Sequence, residues 1–237
     1  MEEKLSGIVV GGVNYGESDK ILNIFTLEKG MVSAKIKGVK KAGAKLKFAS
    51  EPFCFAEYIL RESKAGYTVI NASLLESFYC IREDIIKYFC GGAILEFVKK
   101  FFKEGITDEQ AFMCTLQALK KVAFGDDALS QTSIYFVEAL KSVGFGLHLE
   151  GCFLCNCENI EKVFFDYHSG AFYCEECFFG EGRQINSLTF KALKKLAEGQ
   201  AVSKEENIKA LRLIDYYLEN RIEESVKSLK ELLKMLA

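Results

Sequence analysis

The 237 residues are 49% apolar and 27% charged, and 31 basic against 33 acidic side chains leave a net charge of −2. That balance excludes a disordered or fibrous chain and supplies a core for one large domain or two small ones. It also excludes electrostatic binding of nucleic acid by the molecule as a whole, so any polyanion site must be a local patch. No stretch approaches the roughly 18 consecutive apolar residues of a membrane span. The Met1-Glu2-Glu3-Lys4 start lacks the basic segment and apolar run of a secretory signal. A cytoplasmic protein is expected, with its nine cysteines as thiols or metal ligands.

The chain changes character near residue 80. Before it, glycine-punctuated β-like runs predict five strands: Leu5 to Val13, Ile21 to Leu27, Met31 to Val39, Phe53 to Leu60 and Tyr67 to Ala72. In the third, Val32, Ala34 and Ile36 alternate with Ser33, Lys35 and Lys37, the period-2 pattern of a half-buried strand. Five short strands in about 70 residues fit a small closed barrel of the OB type. The predicted architecture is α+β: an N-terminal five-stranded OB-fold barrel over residues 1–80, then an α-helical domain over 81–237 with an inserted cysteine knuckle at 151–183.

In that second part the period becomes helical. Arg82 to Lys103 reads as a long helix stopped at Gly105, and its Gly91-Gly92 pair implies close packing of another element there. Thr107 to Gln110 fits a capping box opening a helix to about Phe124, and Leu129 to Val143 makes a third. Leu188 to Ala197 is helical again. Ser203 to Glu206 is a second capping box, opening a helix that carries Leu211, Ile214, Leu218 and Ile222, with a continuation from Ser225 to Leu236. These apolar stripes read as core.

Cys152-Phe-Leu-Cys155 and Cys174-Glu-Glu-Cys177 are two C-x2-C pairs separated by 18 residues, a zinc-site spacing. Each C-x2-C turn lets two thiolates converge on one ion at about 2.3 Å, and two turns complete a tetrahedron. Between them, Val163 to Tyr167, a turn at His168-Ser169-Gly170, and Ala171 to Tyr173 predict a hairpin whose base joins the two pairs. Cys157 could compete as a ligand. Cys152 is preferred because only the Cys152/Cys155 pairing repeats the spacing of Cys174/Cys177. Four thiolates leave no open position, so one Zn²⁺ is expected to be structural. His168 falls at the hairpin tip, and His148 lies outside the spacing.

Seven lysines and no acidic residue lie between Lys29 and Lys47. Lys35, Lys37, Lys40 and Lys41, followed by Lys45 and Lys47, are candidate phosphate contacts, since lysines neutralise phosphates and release counterions. Edge strands also use lysine to resist aggregation; the absence of interspersed acids favours a polyanion. Residues 81–237 hold 20 basic and 24 acidic side chains, so the positive charge looks confined to the first part. Tyr15, Phe25, Phe48, Phe53, Phe55, Tyr58 and Tyr67 could supply base stacking, although most of them should be core.

Signatures for chemistry are missing. There is no P-loop, no H-E-x-x-H and no deaminase motif, and neither histidine has a convincing nucleophile beside it. A non-enzymatic protein is expected.

Tyr15-Gly16-Glu17-Ser18-Asp19 followed by Phe25-Thr26 and Gly30, the basic segment Lys37-Gly38-Val39-Lys40-Lys41, Pro52-Phe53, the four knuckle cysteines and Lys227-Ser228 with Leu232 occur in an order that resembles the bacterial RecO family of recombination mediators. The likeness runs over nearly the whole chain. Asn156 stands where glycine often follows the second cysteine, and the basic segment uses only lysine, which implies less bidentate phosphate recognition. The resemblance implies binding to single- and double-stranded DNA, strand annealing, and work with RecR. It also implies recognition of the acidic tail of single-strand-binding protein, help to RecA on gapped DNA, and a nucleoid-associated location. An RNA- or ribosome-associated OB-fold and zinc-ribbon module is the alternative.

Overall fold

The computed structural model describes residues 2–64, 66–180 and 182–236. The expected barrel is present and closed. β1 (Glu2–Tyr15), β2 (Asp19–Thr26), β3 (Gly30–Ile36), β4 (Phe55–Ser63) and β5 (Gly66–Glu76) pair in the order β1-β2-β3-β5-β4, and β4 returns to β1. Every neighbour is antiparallel except β3 with β5, the ordering of a five-stranded Greek-key barrel. A bulge between Val9 and Gly11 bends β1 so that it serves both β2 and β4. The period-2 pattern places Leu22, Ile24, Val32, Ala34, Ile36, Ala56, Tyr58 and Leu60 inside. The Tyr58 hydroxyl donates to the Ala49 carbonyl at 3.1 Å, giving the one polar end of that ring a partner in the core.

Gly30 sits in the β2–β3 turn at φ +67, and a Cβ there would lie 2.0 Å from the Ile106 carbonyl oxygen. Only glycine allows that approach.

The chain forms two compact units, Met1–Phe124 and Gly125–Ala237. The first contains the barrel with α1 (Ile85–Phe101) and α2 (Glu109–Phe124). Phe25 on β2 explains why these helices belong with the strands: its ring lies 5.1 Å from Phe102 and 5.5 Å from Phe112. The compact boundary is therefore some 45 residues beyond the change of periodicity at residue 80. The expected close approach at the glycine pair is found at Gly91, where a Cβ would meet Phe53 at 2.8 Å. The cap of α2 is Asp108, whose carboxylate accepts the Ala111 N–H at 2.8 Å. This corrects the expected capping box at Thr107 to Gln110, because an Asp one residue later satisfies the same orphan donor.

The second unit holds α3 (Ala128–Ser142), α4 (Ser187–Ala197), α5 (Lys204–Arg221) and α6 (Lys227–Met235), with a small sheet of β6 (Val163–Asp166), β7 (Ala171–Cys174) and β8 (Arg183–Ile185) in the order β7-β6-β8. The capping box between Ser203 and Glu206 is formed in both directions. The stretch from Ser225 is a separate helix: Glu223 takes φ +58 and Val226 is fully buried, so the chain turns between α5 and α6. The third strand, β8, has only three residues, too few for a periodic signal.

Candidate functional site

The Cys152, Cys155, Cys174 and Cys177 sulfurs all lie within 4.8 Å of one another. Cys174 ends β7 opposite Val163 at the hairpin base, so the β6–β7 turn carries the second pair to the first. Asn156, at φ +57, lets the chain reverse after Cys155. The N–H of Asn156 donates to the Cys152 carbonyl, and the N–H of Cys152 to the Cys157 carbonyl. The Cys174 N–H points at the Cys152 sulfur at 3.4 Å. Burial opposes ionisation of Cys152, yet the N–H groups of Cys155, Cys174 and Leu154 hold its thiol down to about 6. Cys177 is pushed the other way by Cys174 and Cys155, because crowded thiols cannot all ionise together without a cation among them. This donor set fits a tetrahedral thiophilic ion. Cys157 is outside the group of four. His168 is exposed at the hairpin tip, and His148 is exposed with its ring 5.0 Å from Phe153.

The basic loop is the β3–β4 connection. Val39 is 2% exposed and Ala49 fully buried, while Leu46 and Phe48 pack on the barrel core. Lys37, Lys40, Lys41, Lys45 and Lys47 face solvent, and none has an ion pair among the described residues. The loop is ordered by successive turns, with N–H donations from Lys41 to Gly38, Ala44 to Lys41 and Lys47 to Ala44. It is also tied to the β1–β2 turn. Gly38 donates its N–H to Asp19 at 2.9 Å, and Lys40 donates to the Ser18 carbonyl at 3.0 Å.

Lys35 stands apart from those five. Its ammonium is 3.0 Å from Asp19 and 4.4 Å from the centre of the Tyr15 ring. The Gly38 N–H and then Lys35 hold the Asp19 carboxyl at about 2. Lys29, the first lysine of the run, is paired with Glu3 and bonded to the Tyr67 hydroxyl. Of the aromatic candidates, Phe25, Phe53 and Tyr58 are core. Tyr15 is half exposed, and Tyr15 and Tyr67 line a cleft of about 960 Å³ with Ile21, Ser33 and Lys35. That cleft runs over β2 and β3 from Tyr15 at the end of β1 and Gly66 at the start of β5 to Glu28 in the β2–β3 turn and Glu104, a face on which OB-folds hold oligonucleotides. Composition could not separate these two tyrosines from the core aromatics, because the decision rests on barrel closure.

The family model described as "Recombination protein O N terminal" matches residues 1–78, and "Recombination protein O C terminal" matches residues 82–230. The chain belongs to the RecO family. Curated RecO-family relatives agree over most of its length. It is 30% identical to the DNA repair protein RecO of Desulforamulus reducens over 236 residues, covering 92% of this chain and 91% of the relative. The DNA repair protein RecO of Exiguobacterium sp. is 29% identical over 227 residues, covering 93% and 91%. That of Caldicellulosiruptor bescii is 29% identical over 174 residues, covering 73% and 71%. RecO membership accounts for the barrel-then-helices order, and the junction between the two family matches falls where the periodicity changes. No helix among the described residues is long and apolar enough to cross a membrane.

Proposed function

We propose that the chain is a non-enzymatic DNA-binding mediator of repair whose basic loop grips phosphodiesters while a four-thiolate Zn²⁺ braces the second unit. The observation that carries this reading is the loop Lys37 to Lys47: five exposed ammonium groups with no ion pair among the described residues, on a backbone held by three turns and anchored by Val39. Cations on a preordered loop meet a polyanion with little loss of conformational freedom. Because they contact phosphates and not base edges, binding is independent of sequence and strongly dependent on salt. Neutralising two strands at one surface lowers their mutual repulsion and lets complementary bases pair. Tyr15 and Tyr67 offer ring faces to a single strand in the adjacent cleft.

Cys152, Cys155, Cys174 and Cys177 would hold the ion, and four sulfurs occupy every position of a tetrahedral site. Bound there, zinc would supply folding free energy and not a bound water. Action with RecR, recognition of the tail of single-strand-binding protein, and help to RecA on gapped DNA are part of this proposal, and RecO membership supports them.

The test is anisotropy of labelled single- and double-stranded oligonucleotides with Lys37, Lys40, Lys41 and Lys45 changed together to Glu. Lys35 is left intact because a Glu there would face Asp19. Loss of binding with an unchanged unfolding midpoint is expected; undiminished binding rejects the loop. Preference for structured RNA over gapped DNA would favour the ribosome-associated alternative.

A further inference from the structure

A second cationic site lies in the helical unit, where summed charge had hidden it. Arg183 on β8 and Lys209 and Arg212 on α5 line an open surface cavity of about 270 Å³ together with Asn186, Thr189 and Leu213. All three cations are exposed, and none has an ion pair among the described residues. Glu206 feels both Lys195 and Lys209, and it is committed to the capping box through the Ser203 N–H.

The placement comes from the fold. Lys209 and Arg212 are three residues apart on α5 and so share a face. Arg183 reaches them because β8 pairs with β6, Arg183 standing opposite Phe165. Phe165 meets Tyr217 of α5 edge-on at 5.6 Å. The Arg183 guanidinium is also 5.6 Å from the centre of the Tyr216 ring, one turn beyond Arg212. Asn186 caps α4, so the positive end of that helix dipole belongs to the same wall.

Three like charges with no ion pair among the described residues gather around one cavity, and a bound anion lowers their mutual repulsion. Two guanidinium forks suit a tetrahedral oxyanion with several acceptor oxygens. Ile185 and Leu213 add apolar wall beside the cations, and the three cations themselves meet the charged group of the ligand. We propose that Arg183, Lys209 and Arg212 form a phosphate site that holds the sugar–phosphate backbone of a nucleic-acid strand, separate from the lysine loop. This extends, and rests on, the reading of the chain as a DNA-binding protein. The β6–β7–β8 sheet carries both Cys174 and Arg183, so the four-thiol centre also fixes one wall of the phosphate site.

The test uses the full chain with R183Q/K209Q/R212Q and a labelled 30-nucleotide oligo-dT across a salt series. Three phosphate contacts on a single strand contribute about −2 to the slope of log K against log salt. The variant should lose about that much slope with an unchanged unfolding midpoint, and R183K/R212K should retain most of it. An unchanged slope overturns the site. The lysine-loop variant, measured alongside, separates the two readings. Loss there alone leaves the loop and removes the pocket; loss in the pocket variant alone does the reverse. Undiminished oligo-dT binding together with lost affinity for a hexaglutamate probe would assign the pocket to a carboxylate-bearing protein and overturn the phosphodiester.

Discussion

The Cys155 and Cys174 sulfurs stand 3.8 Å apart without a bond between them, about the edge of a tetrahedron whose centre lies about 2.3 Å from each corner. Cys155 comes from the loop before the hairpin and Cys174 from its far end, so the hairpin closes the site. We expect one Zn²⁺ per chain by elemental analysis. Changing Cys152 and Cys174 to Ser should abolish it and lower the unfolding midpoint on the order of 10 °C, as a loss of about 3 kcal/mol would in a unit of this size. Cys157→Ser should leave the metal content at one, since Cys157 is outside the group of four.

The five solvent-facing lysines of the β3–β4 connection set an expected salt dependence. If each neutralises one phosphate, log K falls with log salt at a slope of about −4.5 on duplex and about −3.5 on single strands from the loop alone. Binding isotherms across a salt series measure this directly. A slope indistinguishable from zero would remove electrostatics from the account.

Asp19 joins the basic loop to the β1–β2 turn, and its carboxyl sits at about 2 instead of 3.8 because of Gly38 and Lys35. A depressed carboxyl contributes stability that is full above the unfolded value and is lost as pH falls toward the folded one. Asp19→Asn should therefore destabilise the first unit at neutral pH, and the gap from wild type should shrink as pH drops from about 4 to about 2. Unfolding midpoints over that range check it. Loss of the tether should also weaken DNA binding, because the lysine loop would no longer be held in place.

Asp215 behaves in the opposite sense. Burial, then Glu219, pushes its carboxyl up from 3.8 to about 6 against the pull of Lys230, and its Oδ1 has no hydrogen-bond partner among the described residues. A raised carboxyl favours the folded state below its unfolded value, and that advantage disappears as pH climbs through about 6. Asp215→Asn should stabilise the second unit at pH 7 to 8 and match or trail wild type near pH 4. A flat difference across that range would mean that the carboxyl is not desolvated.

Gly30→Ala tests the turn at the end of β2. A methyl placed 2.0 Å from the Ile106 oxygen, on a backbone at positive φ, forces the turn and the segment before α2 apart. Destabilisation above about 3 kcal/mol is expected from the clash and the strain together, read by denaturant unfolding.

The five strands, the change to helices, the capping box at Ser203 and the paired-cysteine spacing were legible along the chain. Each of these is a local pattern: alternation, a 3.6-residue period, a cap at fixed offset, or ligand spacing imposed by a tetrahedron. Tertiary structure alone decided what depends on contacts between distant segments. It assigned α1 and α2 to the barrel unit through Phe25, since burial of that ring depends on which helices reach it. It committed Lys35 to Asp19 and Tyr15 while leaving Lys37, Lys40, Lys41, Lys45 and Lys47 open, because strand pairing brings Asp19 beside β3. And it gathered Arg183 with Lys209 and Arg212, which lie 26 and 29 residues further along the chain. A linear sum of charge cannot register that convergence, because potential follows distance in space and not distance along the backbone.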